Sequence, residues 1–286
     1  MINIKNVTVL GSGVLGSQIA YQTAYSGFHV SVYDINDEVI EKAKKRFADL
    51  AETYKKEVKG AKDGKADEAL SKLQYFTDMG AAVADADLAI EAVPETLELK
   101  RNVYTQLGKV APEKTIFTTN SSTLLPSELK DYTGRPKKFL AMHFANQVWK
   151  FNTAEIMKTN DTDPSVFDTI VAFAEEIGMV PIKIRKEKSG YLLNSVLVPF
   201  LNSAMELVAD GYADPADVDK VWHIATGSKL GPFEILDMIG MVTPYNILKN
   251  ADDKLSQRLA VWLKANYIDK GKLGLSNGEG FYSHKK

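Results

Sequence analysis

The chain has 286 residues, 45% hydrophobic and 25% charged, with a formal net charge of −2. That near-neutral balance excludes a broad cationic face for nucleic acid or anionic lipid, and the length suits two domains better than one core. The absence of cysteine removes disulfides, thiolate nucleophiles and cysteine-based metal sites together, and no metal is expected.

In chain order, 7–11 (VTVLG) is a short apolar strand ending in glycine. A helix over 17–26 follows, stopped by Gly27, and 29–34 (HVSVYD) is a second strand ending in an acid. Together they form one strand-helix-strand unit. The segment 37–59 carries Val39, Ile40, Ala43, Phe47 and Leu50 near helical spacing, with lysines on its solvated face, and 60–67 (GAKDGKAD) reads as a turn or loop. Strands at 88–93, 115–120 and 138–144 accompany an amphipathic helix over 96–111. The repeated order predicts an α/β fold of Rossmann type, a doubly wound, mainly parallel sheet. After about Arg185 no strong strand run returns. The stretch 189–211 reads as one long helix closed by Gly211. The stretch 213–227 reads as another, with Asp214 as N-cap, Pro215 at its first position and Gly227 as its stop. The apolar run 191–209 contains Asn194, Asn202 and Glu206, so it is a buried helix rather than a membrane span. The N-terminus runs straight into a strand with no secretory pattern, which makes a cytoplasmic location the expectation.

The turn 11–16 (GSGVLG) places Gly11, Gly13 and Gly16 in dinucleotide spacing, with Val14 and Leu15 between them in the cofactor loop. Gly11 permits the tight turn, Gly13 lets backbone approach a pyrophosphate, and Gly16 lets helix pack on strand. The phosphates then meet the free N–H groups of the helix start. Asp34 closes the second strand about twenty residues on, where a carboxylate accepts ribose hydroxyls and repels a 2′-phosphate, so NAD is expected over NADP. The expected division is a dinucleotide-binding Rossmann domain over 1–186 and an all-helical domain for substrate and dimerisation over 187–286.

Four polar residues carry candidate chemistry: Ser122, His143, Glu155 and Asn194. In a doubly wound sheet ligands sit beyond the carboxyl ends of strands; His143 lies at such an end and Ser122 just past another. Oxidising a secondary alcohol requires a hydride acceptor and a base for the hydroxyl proton, and imidazole suits that base. Glu155 on the other ring nitrogen would fix the tautomer and stabilise the imidazolium. A strand-end histidine is equally a satisfied polar group on periodicity alone.

At this point the chain resembles the L-3-hydroxyacyl-CoA dehydrogenases of the short, 3-hydroxybutyryl-CoA type. The matching segments run over nearly its whole length: 11–20 (GSGVLGSQIA), 90–95 (IEAVPE), 115–123 (TIFTTNSST), 142–149 (MHFANQVW), 154–157 (AEIM), 189–199 (SGYLLNSVLVP), 231–240 (GPFEILDMIG) and 278–282 (GEGFY). The resemblance implies His143 as general base, Glu155 as its partner, Ser122 on the substrate oxygen and Asn194 on the acyl part. It implies Glu95, Lys100 and Asn120 on the nicotinamide side, and Asn146 and Lys56 among the substrate contacts. It also implies two domains closing over the ligand and a homodimer. The partners expected are therefore a small-molecule substrate and a second copy, with no nucleic acid and no membrane.

The chain departs from that pattern at several places. Gln147 stands where the family usually has proline, polar Asn152 and Thr153 precede the glutamate segment, and Ser189-Gly190 replaces Pro-Gly. These residues suggest a short or more polar acyl group. The family's CoA-holding serine aligns with apolar Leu50, leaving Lys55 and Lys56 as phosphate candidates. The alternatives are therefore an NAD enzyme of a free beta-hydroxy acid (a sugar acid or carnitine-like compound), with Lys150 or Lys186 for its carboxylate, and a catalytically silent dinucleotide-binding protein. The intact set of Ser122, His143, Glu155 and Asn194 argues against the last.

Overall fold

The computed structural model describes residues 3–284, and the chain ends assigned to each expected domain, 1–2 and 285–286, lie outside the described residues. The chain divides into two compact units, Met1–Leu192 and Leu193–Lys286. In the first unit, β1 (Asn6–Leu10), α1 (Val14–Tyr25) and β2 (His29–Tyr33) form the expected opening unit. Next come α2 (Asp37–Glu57), α3 (Lys65–Ser71), β3 (Leu73–Phe76), α4 (Met79–Val83), β4 (Leu88–Glu91), α5 (Leu97–Val110) and β5 (Ile116–Thr119). The unit finishes with β6 (Phe139–Phe144), β7 (Thr153–Lys158), α6 (Pro164–Glu176) and β8 (Val180–Ile184).

The strands form one eight-stranded sheet in the order β3-β2-β1-β4-β5-β6-β7-β8. β1 to β6 are mutually parallel, while β7 runs antiparallel to β6 and parallel to β8. The doubly wound expectation therefore holds, with a reversal at β7 that periodicity did not reveal. Of the strands, β3, β7 and β8 were not expected, because each is short or interrupted by charge and proline.

Local chemistry explains the helix starts. Asn36 caps α2 by accepting the Val39 N–H at 2.9 Å, with Asp37 and Glu38 in its first turn and Lys55 and Lys56 in its last, the polarity a helix dipole favours. The tail of the expected 60–67 loop is already helical, because Gly64 at φ 89° turns the chain into α3. Alternation along the strands builds a core on each face of the sheet. Val7, Val9, Leu140, Met142 and Phe144 pack with Phe47 of α2 and Phe173 of α6, while Leu10, Phe117 and Phe139 pack with Tyr104 and Leu107 of α5. Each such large side chain contributes about 1.5–3 kcal/mol by leaving water.

The second unit is helical: α7 (Leu193–Ala209), α8 (Pro215–Thr226), α9 (Pro232–Ile239), α10 (Val242–Lys249) and α11 (Lys254–Asn266). Its core gathers Leu201, Met205, Phe233, Leu236, Leu259 and Leu263. The expected helix over 189–211 begins only at Leu193. Tyr191 takes φ 53°, a left-handed value that helix geometry forbids, and its buried ring belongs with Ala141, Met157 and Ile184 of the first unit. For the same reason the division falls after Leu192 rather than at 186. Asp214 and Pro215 start α8, and Gly227 ends it at φ 73°, as the sequence implies. Among the described residues no helix is long and apolar enough to cross a membrane, and no group of three or more histidine or acidic side chains is placed to hold a metal.

Candidate active site

The glycine turn shows why each glycine is required. Gly11 has φ 97°, and a Cβ there would come within 2.7 Å of the Ala92 carbonyl oxygen; a Cβ on Gly16 would sit 2.0 Å from the Gly11 oxygen. Above Gly13 there is open space, the approach a ligand phosphate needs. Gly13 caps α1 with no side-chain hydrogen bond and no acid follows in the first turn, so the N–H groups at the helix start are left to an anion. Val14 is exposed beside this turn and Leu15 packs on the core. Asp34 Oδ2 accepts the Ser12 N–H and hydroxyl, each at 2.7 Å, which ties the acid to the phosphate turn. These features fit a dinucleotide without a 2′-phosphate.

The β6–β7 register places His143 directly opposite Glu155, both on the face that carries Ala141 and Met157. His143 Nδ1 lies 3.0 Å from Glu155 Oε2, and Nε2 lies 3.1 Å from Ser122 Oγ. With the carboxylate on one side, the proton belongs on Nδ1, which leaves the Nε2 lone pair facing Ser122. Glu155 is itself held, since its Oε1 accepts the Leu192 N–H at 2.8 Å. Tyr191 stacks on the imidazole with ring centroids 4.6 Å apart and planes at 26°. Burial, followed by the fields of Glu95, Glu155, Glu91 and Glu187, pushes its phenol well up, so the ring stays neutral under His143.

Asn120 follows β5 directly and bridges two strands: its N–H donates to the Glu91 carbonyl at 2.8 Å, and its side-chain oxygen accepts the Phe144 N–H at 2.9 Å. Lys100, expected beside the nicotinamide, is only 1% exposed and forms ion pairs with Glu91 at 2.5 Å and Glu95 at 3.3 Å. Glu91 is fully buried and also accepts the Thr119 hydroxyl at 2.7 Å and the Val93 N–H at 2.9 Å. For Glu95, burial pushes the carboxyl up, but the Lys100 ammonium, the Ser121 hydroxyl and the Thr123 donors outweigh it and hold it at about 2.

The remaining expected residues lie on other elements. Asn194 is the second residue of α7, in the second unit. Asn146 is exposed just past β6, and Lys56 is exposed near the end of α2, whereas Lys55 is bound to Glu52 at 2.9 Å and Asp67 at 2.8 Å. Leu50 packs against the core. Gln147 takes φ 60°, which proline cannot adopt, and its N–H donates to Gln18 Oε1 of α1 at 2.7 Å. Trp149 donates to Glu57 at 2.8 Å, pinning the same loop to α2. Sequence reasoning missed Tyr191, Glu91, Ser121 and Gln18. Only Glu91 had a visible signal, as a lone acid within an otherwise apolar strand run.

A glycine turn open to a phosphate, an acid just past β2 and a histidine between a carboxylate and a hydroxyl fit an NAD-linked dehydrogenase that works on an alcohol carbon. The family models carry this further. The 3-hydroxyacyl-CoA dehydrogenase NAD binding domain matches residues 6–188, and the C-terminal domain of the same family matches 190–284. The chain belongs to the 3-hydroxyacyl-CoA dehydrogenase family, and its cofactor is NAD. It is 33% identical to the mitochondrial hydroxyacyl-coenzyme A dehydrogenase of Rattus norvegicus, over 99% of this chain and 92% of that one. Among solved structures it is similar to a diketoreductase that acts on dicarbonyl compounds, at 60% identity and TM-score 0.96, covering 99% of this chain and 100% of that one. It is also similar to the (S)-3-hydroxybutyryl-CoA dehydrogenase of Ralstonia eutropha, at 26% identity and TM-score 0.85, covering 99% and 100%.

Proposed function

We propose that the protein interconverts a short 3-hydroxyacyl-CoA and its 3-keto counterpart. The observation that carries this reading is the line Ser122–His143–Glu155, at 3.1 and 3.0 Å. In the oxidative direction His143 Nε2 takes the proton of the 3-hydroxyl while Glu155 stabilises the imidazolium. Ser122 holds the same substrate oxygen, and in reduction it donates to the ketone as charge develops there. When bound, NAD would supply the acceptor for the hydride that leaves carbon 3. By resemblance, Asn194 orients the thioester oxygen and Asn146 and Lys56 meet the substrate. Gly11, Gly13, Val14, Leu15, Gly16, Asp34 and Asn120 serve the cofactor.

A second reading, in which the same chemistry acts on a dicarbonyl compound or beta-hydroxy acid without CoA, is favoured by the 60% identity to the diketoreductase. It is also favoured by apolar Leu50 and by the pairing of Lys55 with Glu52 and Asp67. NADH consumption with acetoacetyl-CoA, free acetoacetate and an uncharged 1,3-diketone ester separates the two. Turnover of the thioester, lost in His143→Ala, supports the first. Turnover confined to the free compounds moves the substrate to the second and leaves the residue roles standing. We also propose a homodimer, supported by exposed Val196 of α7 and Val221 and Ile224 of α8 and tested by sedimentation.

A further inference from the structure

The turn after β5 that carries Ser122 has no regular structure of its own to hold it. Glu95 accepts most of the hydrogen bonds that hold it, beside those from Leu124 N–H to Ser121 Oγ at 3.0 Å and from the Ser189 hydroxyl to the Thr123 carbonyl at 2.6 Å. The Ser122 N–H donates to Glu95 Oε1 at 3.0 Å, the Thr123 N–H at 2.9 Å and the Leu124 N–H at 3.4 Å. The Thr123 hydroxyl donates to the same oxygen at 2.9 Å, and the Ser121 hydroxyl donates to it as well. Successive N–H groups converging on one point form a nest that favours an anion. Here the chain fills the nest with its own carboxylate.

The carboxylate is fixed in turn from below. Its other oxygen faces the Lys100 ammonium at 3.3 Å, and that ammonium is anchored by fully buried Glu91 at 2.5 Å and by the Val93 carbonyl at 3.3 Å. Both oxygens of Glu95 are thus engaged within the protein. The resemblance gives this residue a contact beside the nicotinamide. We infer that Glu95 is instead a positioning residue for Ser122: it pins the 121–124 turn so that the Ser122 hydroxyl points at His143 Nε2. The substrate oxygen must meet both groups, so a small displacement of the turn separates the hydroxyl donor from the base.

This inference rests on the reading of Ser122 as the donor to the substrate oxygen, and a double-mutant cycle distinguishes failure of one from failure of the other. Glu95→Ala, Ser122→Ala and the double variant are compared for kcat and KM with the best keto substrate, and for NADH affinity by fluorescence titration. Glu95→Ala keeps Lys100 paired with Glu91, so no buried cation is left alone. The expected result is a loss in kcat of about tenfold to a hundredfold, with NADH affinity changed less than about twofold. In the Ser122→Ala background the same change costs less than about threefold, because the group being positioned is already gone.

Thr123→Val, at an exposed residue, removes one of the donors and gives a smaller loss of the same kind. Full multiplication of the two effects, or a loss confined to NADH affinity, overturns the assignment and returns Glu95 to the cofactor. Unchanged turnover in Ser122→Ala alone overturns the reading of Ser122, and this inference with it.

Discussion

Two clusters, one in each unit, bury charge in different ways. In the second unit Asp237, 1% exposed, accepts the Phe281 N–H at 2.7 Å, the Tyr282 N–H at 2.9 Å and His284 Nε2 at 2.7 Å. Asp219, 3% exposed, accepts the Phe233 and Glu234 N–H groups at 2.9 and 3.0 Å and the Tyr282 hydroxyl at 2.8 Å. Those carboxylates answer mostly to backbone and staple the C-terminal segment onto α8 and α9. In the first unit His143, Glu155, Glu91 and Lys100 answer chiefly to one another and to hydroxyls. A carboxylate satisfied by backbone donors is a structural fixture. Ionisable side chains gathered mainly on one another mark a candidate site for chemistry.

The largest test of that contrast is His143→Gln, which keeps a side-chain donor for buried Glu155 and is expected to lower kcat by about 10²–10⁴-fold while the melting temperature falls less than for Asp237→Ala; steady-state rates and a thermal melt check both. Asp237→Ala should do the reverse. Losing a buried acceptor of three donors should cost about 2–4 kcal/mol of stability, measured by denaturant unfolding, while kcat of the folded fraction stays near wild type. A kcat loss at Asp237 matching that at His143 would erase the distinction.

Ser122→Ala should lower kcat by about a hundredfold, with NADH affinity preserved. A smaller effect concerns pH. The Glu95 carboxyl is depressed from its ordinary 4.5 to about 2. Its contribution to stability is therefore complete above the ordinary value and is lost as pH falls through about 2. Melting temperature followed from pH 6 downward should fall more steeply for the wild type than for Glu95→Gln. The smallest change, Gln18→Ala, removes the acceptor for the Gln147 N–H and should cost about 1 kcal/mol.

The glycine turn and Asp34 were legible in the sequence because their requirement is local: spacing, a tight turn and an acid at a strand end. Ser122, His143 and Glu155 were legible as residue types and their association was expected; the backbone ladder behind their assembly was not. It depends on β7, whose run TAEIMK is broken by Glu155 itself and so lacks a clean apolar signal. Tyr191 was hidden for a different reason. An aromatic residue at φ 53° violates the preference that sequence reading relies on, and it shows only with its packing against His143, Ala141, Met157 and Ile184. The role of Lys100 was obscured because a buried lysine is legible only once Glu91 beneath it is seen.

The reversal of strand direction at β7 has an evolutionary consequence. Because β6 and β7 are neighbours in chain order, His143 and Glu155 arrive together on one hairpin, set opposite each other by the ladder register. The connection between them, residues 145–152, carries Asn146, Gln147 and Trp149 and is stapled to α1 and α2 by its own separate contacts. Mutations can therefore accumulate in that connection while the His143–Glu155 pair is inherited intact.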